Sequence, residues 1–338
     1  MILFLFASVT LIPSASVPAT AIQRKRVLVL AYSQTGQLTA VIESLLGPLR
    51  AEPRISVHVE TLAPQPPFPM PWPLFRFLDA FPESANLQPG ALAPLTLTGD
   101  EDFDLVILPY QVWFLAPSQP VAAFLKHPVA ARLLRGKPVV TVIACRNMWL
   151  LAHGKTKKLL ADLGAHLVDN VVLTDRAHTM ATLLTTPLWL LTGKRQLISS
   201  LPPAGVAATD IEGCARFGRA LRDALAEDRE RSLEPMLQGL RAVEADPNLW
   251  FSELTAGRSF SLWGRLLRAF GPPGSLPRRA LLVLYLVFLV TLVFTVVPLS
   301  LAIQLLLRPC LKQRLARLKQ SFEAPSGSGD ERLSLYDC

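Results

Sequence analysis

Val27-Leu28-Val29-Leu30-Ala31-Tyr32-Ser33-Gln34-Thr35-Gly36-Gln37-Leu38 is the stretch on which the fold turns. Its first five residues form a continuous apolar run, which predicts a strand covered on both faces. The hydroxyl-rich turn that follows opens a helix, with Val41, Leu45, Leu46 and Leu49 on one face. The same alternation continues down the chain. Residues 55–61 alternate like a strand, and 105–108, 139–144 and 167–173 are further apolar runs. Helical patterns intervene around 121–125, 155–163 and 211–226. Strands alternating with helices predict a doubly wound α/β fold with a parallel five-stranded sheet. Such sheets bind ligands beyond the carboxyl ends of their strands.

Two phosphate fingerprints are absent there. No GxGxxG follows the first strand, which excludes the usual dinucleotide-binding turn. Gly154-Lys155-Thr156 looks like the end of a P-loop, but Trp149 stands where its first glycine belongs. The turn 33–37 offers another route to phosphate. Its hydroxyls and successive N–H groups donate to phosphate oxygens, the helix dipole favours the negative charge, and Gly36 lets the backbone come close. An ordinary capped strand-to-helix turn is the competing reading of the same residues.

The chain has 338 residues and a net charge of +8; 18% of residues are charged and 51% hydrophobic. That balance excludes a disordered, acidic solvating protein. The positive charge is local: ten Lys and Arg and no acid fall between Arg258 and Lys319. They flank an apolar run rather than cover a folded face among base-stacking aromatics, so the pattern predicts anionic lipid headgroups as partner and no nucleic acid. Residues 280–307 carry no charge at all. As a helix they would extend roughly 42 Å, beyond the ~30 Å of a bilayer core, which predicts a transmembrane helix kinked at Pro298. Just before them, 259–270 places Phe260, Trp263, Leu266, Leu267 and Phe270 on one helical face, with Arg258, Arg265 and Arg268 reaching outward. That predicts a helix lying in the headgroup layer. Residues 1–22 are uncharged and precede Arg24-Lys25-Arg26, leaving a short anchor, a signal-like segment and a start called too far upstream all open. Cys145, Cys214, Cys310 and Cys338 form no CxxC, and the five histidines are scattered, so the sequence predicts neither a disulfide framework nor a metal site.

The loop Tyr32-Ser33-Gln34-Thr35-Gly36-Gln37 resembles the FMN phosphate loop of the flavodoxin-like family, roughly (S/T)-x-T-G-x-T. Ser33, Thr35 and Gly36 match; Leu38 stands where the last hydroxyl belongs, with Thr39 displaced by one. Asp104 to Trp113 resembles the family's third strand and flavin-contacting loop, and Cys145-Arg146-Asn147-Met148-Trp149 the other loop bordering the ring. The resemblance implies FMN as cofactor, bound by Ser33, Gln34, Thr35, Gly36, Gln37, Leu38, Gln111, Val112, Trp113, Cys145, Arg146 and Asn147, with Trp113 against the ring. Cys145 reads as a packed thiol rather than a nucleophile. A flavodoxin-like domain joined to a basic amphipathic segment and an apolar span is similar to the bacterial dialkylresorcinol condensing enzymes, over roughly residues 24–310. That family implies a pathway joining two β-keto acyl chains into an aromatic lipid. No ketosynthase Cys-His-His or Cys-His-Asn site is visible, so ketosynthase and acyl carrier partners would perform the condensation and this chain the aromatising step.

The resulting expectation is a membrane-anchored FMN oxidoreductase acting on a lipid-like cyclic diketone or phenol, with NAD(P)H as a candidate hydride donor. Its domain, 23–236, would face the cytoplasm; 237–279 would be a linker, 280–307 a single span, and 308–338 a basic and then disordered tail. Tyr32, Tyr110 and His178 are unranked candidates for moving a proton. Apolar insertions at 63–90 and 181–195 would cover the substrate. An NAD(P)H-dependent quinone or FMN reductase and a non-catalytic electron carrier or membrane scaffold are the competing readings.

Overall fold

Five strands pair in parallel in the computed structural model, which describes residues 24–336 apart from the side chains of 293 and 296–311. They are β1 (Lys25–Ala31), β2 (Ile55–Thr61), β3 (Leu105–Trp113), β4 (Pro138–Cys145) and β5 (His166–Thr174). Their order is β2-β1-β3-β4-β5. This is the flavodoxin-like order, and its direction reverses between β1 and β3. The middle of β1 is fully buried because helices cover both faces, which is why it reads as an unbroken apolar run.

The helices are α1 (Gln37–Arg50), α2 (Leu74–Asp79), α3 (Phe81–Ala85), α4 (Gln119–Leu125), α5 (Pro128–Leu134), α6 (Leu150–Asp162), α7 (Thr179–Thr192), α8 (Ala208–Glu212), α9 (Ala215–Ala226), α10 (Leu249–Ala269) and α11 (Leu276–Glu323). α1 and α9 cross closely at Gly218, where a Cβ would stand 1.9 Å from the Leu45 carbonyl oxygen. The helical pattern at 211–226 is divided into α8 and α9 around Gly213 and Cys214. β3 runs past the expected strand end to Trp113, and Val112 and Trp113 then pair with Ala116–Pro117. The intervening Phe114 and Leu115 both take positive φ, 50° and 59°. This is an uncommon conformation for bulky residues, and the hairpin pairing holds it.

A second, smaller core lies beside the sheet. α2 and α3, inside the proline-rich insertion, contribute Leu78, Phe81 and Ala85; α10 contributes Leu267, and α11 contributes Leu282 and Tyr285. Phe81 and Tyr285 stack with ring centroids 4.5 Å apart. Arg278, one turn earlier on α11, is buried and clamps the Asp79 and Glu83 carboxylates.

The far end of α11 also returns to the α/β domain. Phe322 packs on Trp250 with centroids 5.0 Å apart, and Trp263, further along α10, faces Tyr285 at 5.4 Å. Those contacts span about 20 Å of α10, whereas the matching stretch of a straight α11 would measure about 55 Å. α11 therefore does not run straight between its two contacts with α10. Residues 324–336, expected to be disordered, are anchored. The buried Ser326 hydroxyl donates to Asp169 Oδ1 and accepts from the Asn170 N–H, both at 2.7 Å. The carbonyls of Gly327 and Gly329 accept from Val243 and Arg241.

These contacts correct the expected single transmembrane helix over 280–307. Among the described residues no helix is long and apolar enough to cross a membrane. Leu282 and Tyr285, inside the uncharged run, are core residues. Arg278 before the run and Ser326 after it both bind the same domain, so a single crossing would tear one of them away. The kink expected at Pro298 lies outside the described side chains, as residues 1–23 lie outside the described chain.

Candidate functional site

The carboxyl ends of β1, β3 and β4 open onto a cavity of about 350 Å³. Gln34, Thr35, Gln37 and Leu38 line it from the first turn; Gln111, Val112 and Trp113 line it from β3; Cys145, Arg146 and Asn147 line it from the turn after β4. Three sequence-predicted loops thus meet at the switch point. Ser33 and Gly36, of the same turn, are not among the lining residues. Ser33 Oγ accepts from the Thr39 N–H at 3.3 Å, and Gly36 initiates α1 with φ 81°. No acid stands in the first turn of α1.

Two glutamines of the turn are held by neighbouring loops. Gln37 donates to the Val206 carbonyl at 3.1 Å and accepts from the Val206 N–H at 3.0 Å, binding the 204–206 segment as a peptide would. Gln34 donates to the Pro69 carbonyl at 2.7 Å and accepts from the Tyr32 hydroxyl, which fastens the proline-rich insertion over the sheet.

The Trp113 ring meets Phe68, Trp72 and Tyr32 edge-on, with centroids 5.0–5.9 Å apart. Phe77 and Phe114 continue this aromatic wall, and Phe260 of α10 closes it. Several buried polar atoms on residues that line the same cavity have no hydrogen-bond partner among the described residues. They include both amide atoms of Gln111, Asn147 Oδ1 and Thr186 Oγ1. Arg146 donates to Thr182 Oγ1 at 3.3 Å. Burial pulls its guanidinium below the ordinary value, against the pull of Cys145 and Asp175. Burial likewise pushes the Cys145 thiol up, aided by the charge of Glu253, so it stands protonated. Glu253 is fully buried on α10 and accepts from the N–H groups of Leu150 and Leu151 at 3.2 and 2.7 Å. It thereby caps α6 from another helix and fixes the cavity loop just before it.

The three proton-moving candidates separate. Tyr110 is buried in the core with its hydroxyl 3.4 Å from His153 Nδ1, and His178 is exposed and caps α7. Neither lines the cavity. Tyr32 adjoins it through Trp113, with its phenol pushed up by burial.

A second cavity of about 420 Å³ adjoins the first and shares Trp72 and Ala80 with it. Phe68, Phe75 and the prolines of the insertion line it, together with Pro273 and Arg279 from the α10–α11 turn. Sequence reasoning singled out the two insertions but missed Phe260, Gly205 and the capping role of Glu253. A lone acid in an otherwise apolar helical pattern was the available signal for Glu253.

The strand order and the cavity at its switch point define a flavodoxin-like α/β protein. No family model matches the chain, and no curated protein matches it. Among solved structures it is similar to a flavodoxin from the domain Archaea, with 10% identity over 60% of this chain and 99% of that one, TM-score 0.33. It is also similar to oxidised flavodoxin 1 from Bacillus cereus, with 15% identity over 57% of this chain and 94% of that one, TM-score 0.31. Neither is named for a resorcinol-forming enzyme.

Proposed function

We propose that the switch-point cavity binds FMN and that the chain is a flavin oxidoreductase for a lipid-soluble ring, a cyclic diketone or phenol. The observation that carries this reading is the set of orphaned polar atoms on Gln111, Asn147 and Thr186, residues that line the same cavity as the aromatic wall. A planar heterocycle with amide-like edges satisfies both at once. Buried polar groups left without partners otherwise cost about 1–3 kcal/mol each. The residues fit the group in other respects. Ser33, Thr35 and the start of α1 offer hydroxyls and N–H groups for a phosphate, Arg146 adds a half-buried cation, and the volume suits a cofactor-sized ligand.

FMN, when bound, supplies a two-electron acceptor or donor. This chain's own residues position and enclose. Gln111 and Asn147 orient the heterocycle by its edges, while Trp72, Phe77, Phe114 and Phe260 exclude water from the reacting face. Burial disfavours the Cys145 thiolate, and we assign chain-joining condensation to separate ketosynthase and acyl carrier partners. The adjoining apolar cavity would take the alkyl tails of the substrate. This favours a small-molecule enzyme of dialkylresorcinol-type lipid synthesis over an electron carrier. The flavin domain is assigned to the cytoplasmic side, where FMN and NAD(P)H are supplied.

The absorption spectrum of the purified full chain, followed by release and identification of its chromophore, tests the cofactor. A folded protein that neither retains nor takes up FMN refutes it. Adding a preformed dialkyl cyclohexanedione to anaerobic holoprotein tests the reaction, with flavin bleaching and resorcinol formation expected. If holoprotein stays oxidised with the diketone yet joins two β-keto acyl thioesters, the condensing role is the right one.

A further inference from the structure

We infer that α10 and the first part of α11 seat this protein in one leaflet of an anionic bilayer, from one side and without crossing it. This reading is independent of the flavin. The inward faces of both helices are already used: Phe260, Trp263 and Leu267 on α10, and Leu282 and Tyr285 on α11, pack in the second core. Their outward faces are apolar as well. Leu262, Leu266 and Phe270 recur at one-turn intervals and are exposed, Leu262 by 69%. On α11, Val283, Val287, Val290 and Phe294 repeat at three- and four-residue intervals and are also exposed, Phe294 by 72%. A helix apolar on all sides belongs in a protein interior or in lipid.

Charge selects the lipid. Arg258 and Arg265 flank the α10 stripe, stand exposed and make no ion pair among the described residues, and no acid occurs from 258 to 319. Arginines beside an apolar stripe match anionic headgroups over hydrocarbon. The uncharged sequence continues to Leu307, further than one amphipathic groove on a partner protein would need. The geometry sets the depth of insertion. Arg278 and Ser326 hold the two ends of α11 on the same domain, so chain that enters the bilayer must leave by the same surface.

Two measurements on the full chain test this. In flotation with phosphatidylcholine vesicles, with and without phosphatidylglycerol, binding should rise with the anionic lipid. Arg258→Glu with Arg265→Glu should cut partitioning onto anionic vesicles by roughly tenfold or more. Val287→Asp with Phe294→Asp should weaken binding to both vesicle types, with circular dichroism confirming that each variant is folded. For sidedness, Leu276→Cys and Leu335→Cys, both exposed positions, are placed singly in a background with Cys310 and Cys338 changed to Ser. They are probed with a membrane-impermeant maleimide in intact cells and in inside-out membranes. Both positions should react from one and the same side. Labelling from opposite sides overturns the inference and restores a crossing. Failure to bind vesicles, binding unaffected by the variants, or burial of the stripe in a dimer or protein complex overturns it as well.

Discussion

Replacing Arg278 with Met should cost about 2–3 kcal/mol, and the figure follows from its surroundings. The guanidinium is 1% exposed and each of its five N–H groups has an acceptor. Nε donates to Asp79 Oδ1 at 2.9 Å; Nη1 donates to Glu83 Oε1 at 2.8 Å and to the Gly271 carbonyl at 3.5 Å; Nη2 donates to Glu83 Oε2 and to the Asp79 carbonyl, both at 2.7 Å. Methionine keeps most of the volume and removes the charge. Breaking a fully buried pair costs about 3–5 kcal/mol, because a charge is stranded. Here the stranded carboxylates are 14% and 18% exposed, and the Gly274 N–H still donates to Asp79 at 2.8 Å, which lowers the figure. Arg278→Met with Glu83→Gln removes the repulsion between the two acids and should recover about 1 kcal/mol of the loss. Urea denaturation of the detergent-solubilised chain, read by the fluorescence of Trp263 beside Tyr285, measures both. A loss below about 0.5 kcal/mol, or a double variant weaker than the single one, would show that α11 is not clamped to α2 and α3.

Ser326→Ala leaves the Asn170 N–H unpaired in the core and strips Asp169 Oδ1 of one of its two donors, the Leu237 N–H remaining, so a loss of about 2 kcal/mol is expected together with faster amide exchange over 324–336. An unchanged exchange pattern would return the tail to a dangling state. Gly36→Val meets no atom within 4 Å but must adopt φ 81°, at a cost of about 1–2 kcal/mol. The variant should stay folded while FMN retention in gel filtration falls, and retention equal to the parent would separate this turn from cofactor binding. Glu253 has its folded-state value raised by burial from 4.5 to about 7, against its two backbone bonds. A raised acid takes up its proton more readily when folded, so its contribution to stability is largest below pH 4.5 and declines as pH rises towards 7, by about 3 kcal/mol in all. Glu253→Gln should remove that slope from denaturation curves taken between pH 5 and pH 8; identical slopes would refute the assignment.

The sheet was legible because β1, β3 and β4 are buried on both faces and announce themselves as apolar runs, while the edge strand β2, half-exposed, shows itself by alternation. The cavity loops were legible because chemistry crowds where such strands end. What was hidden depends on partners far away in sequence. Arg278 reads as one more base flanking an apolar span, and only the fold brings Asp79 and Glu83 to it. The Ser-Gly-Ser-Gly tail has the composition of a flexible linker, yet small residues are what fit the slot beside Asp169. The extension of β3 through Trp113 was hidden because Phe114 and Leu115 make a turn without the glycine or asparagine that normally marks one.

The same long-range contacts join the exposed apolar face of α10, proposed above to meet lipid, to the cavity. α10 presents Leu262 and Leu266 outward, supplies Phe260 to the cavity wall, and through Glu253 holds the N–H groups of Leu150 and Leu151. The loop just before those groups carries Cys145, Arg146 and Asn147. A shift of α10 along its axis would uncap α6 and displace Asn147, whose Oδ1 has no hydrogen-bond partner among the described residues. Seating α10 in headgroups therefore bears directly on the loop proposed to orient the cofactor. Placing the second cavity beside the α10–α11 turn, with Arg279 at its rim, puts a tail chamber where a lipid-soluble ring would arrive. On the proposed reading, anchoring and substrate access would both follow from one helix packing on one sheet.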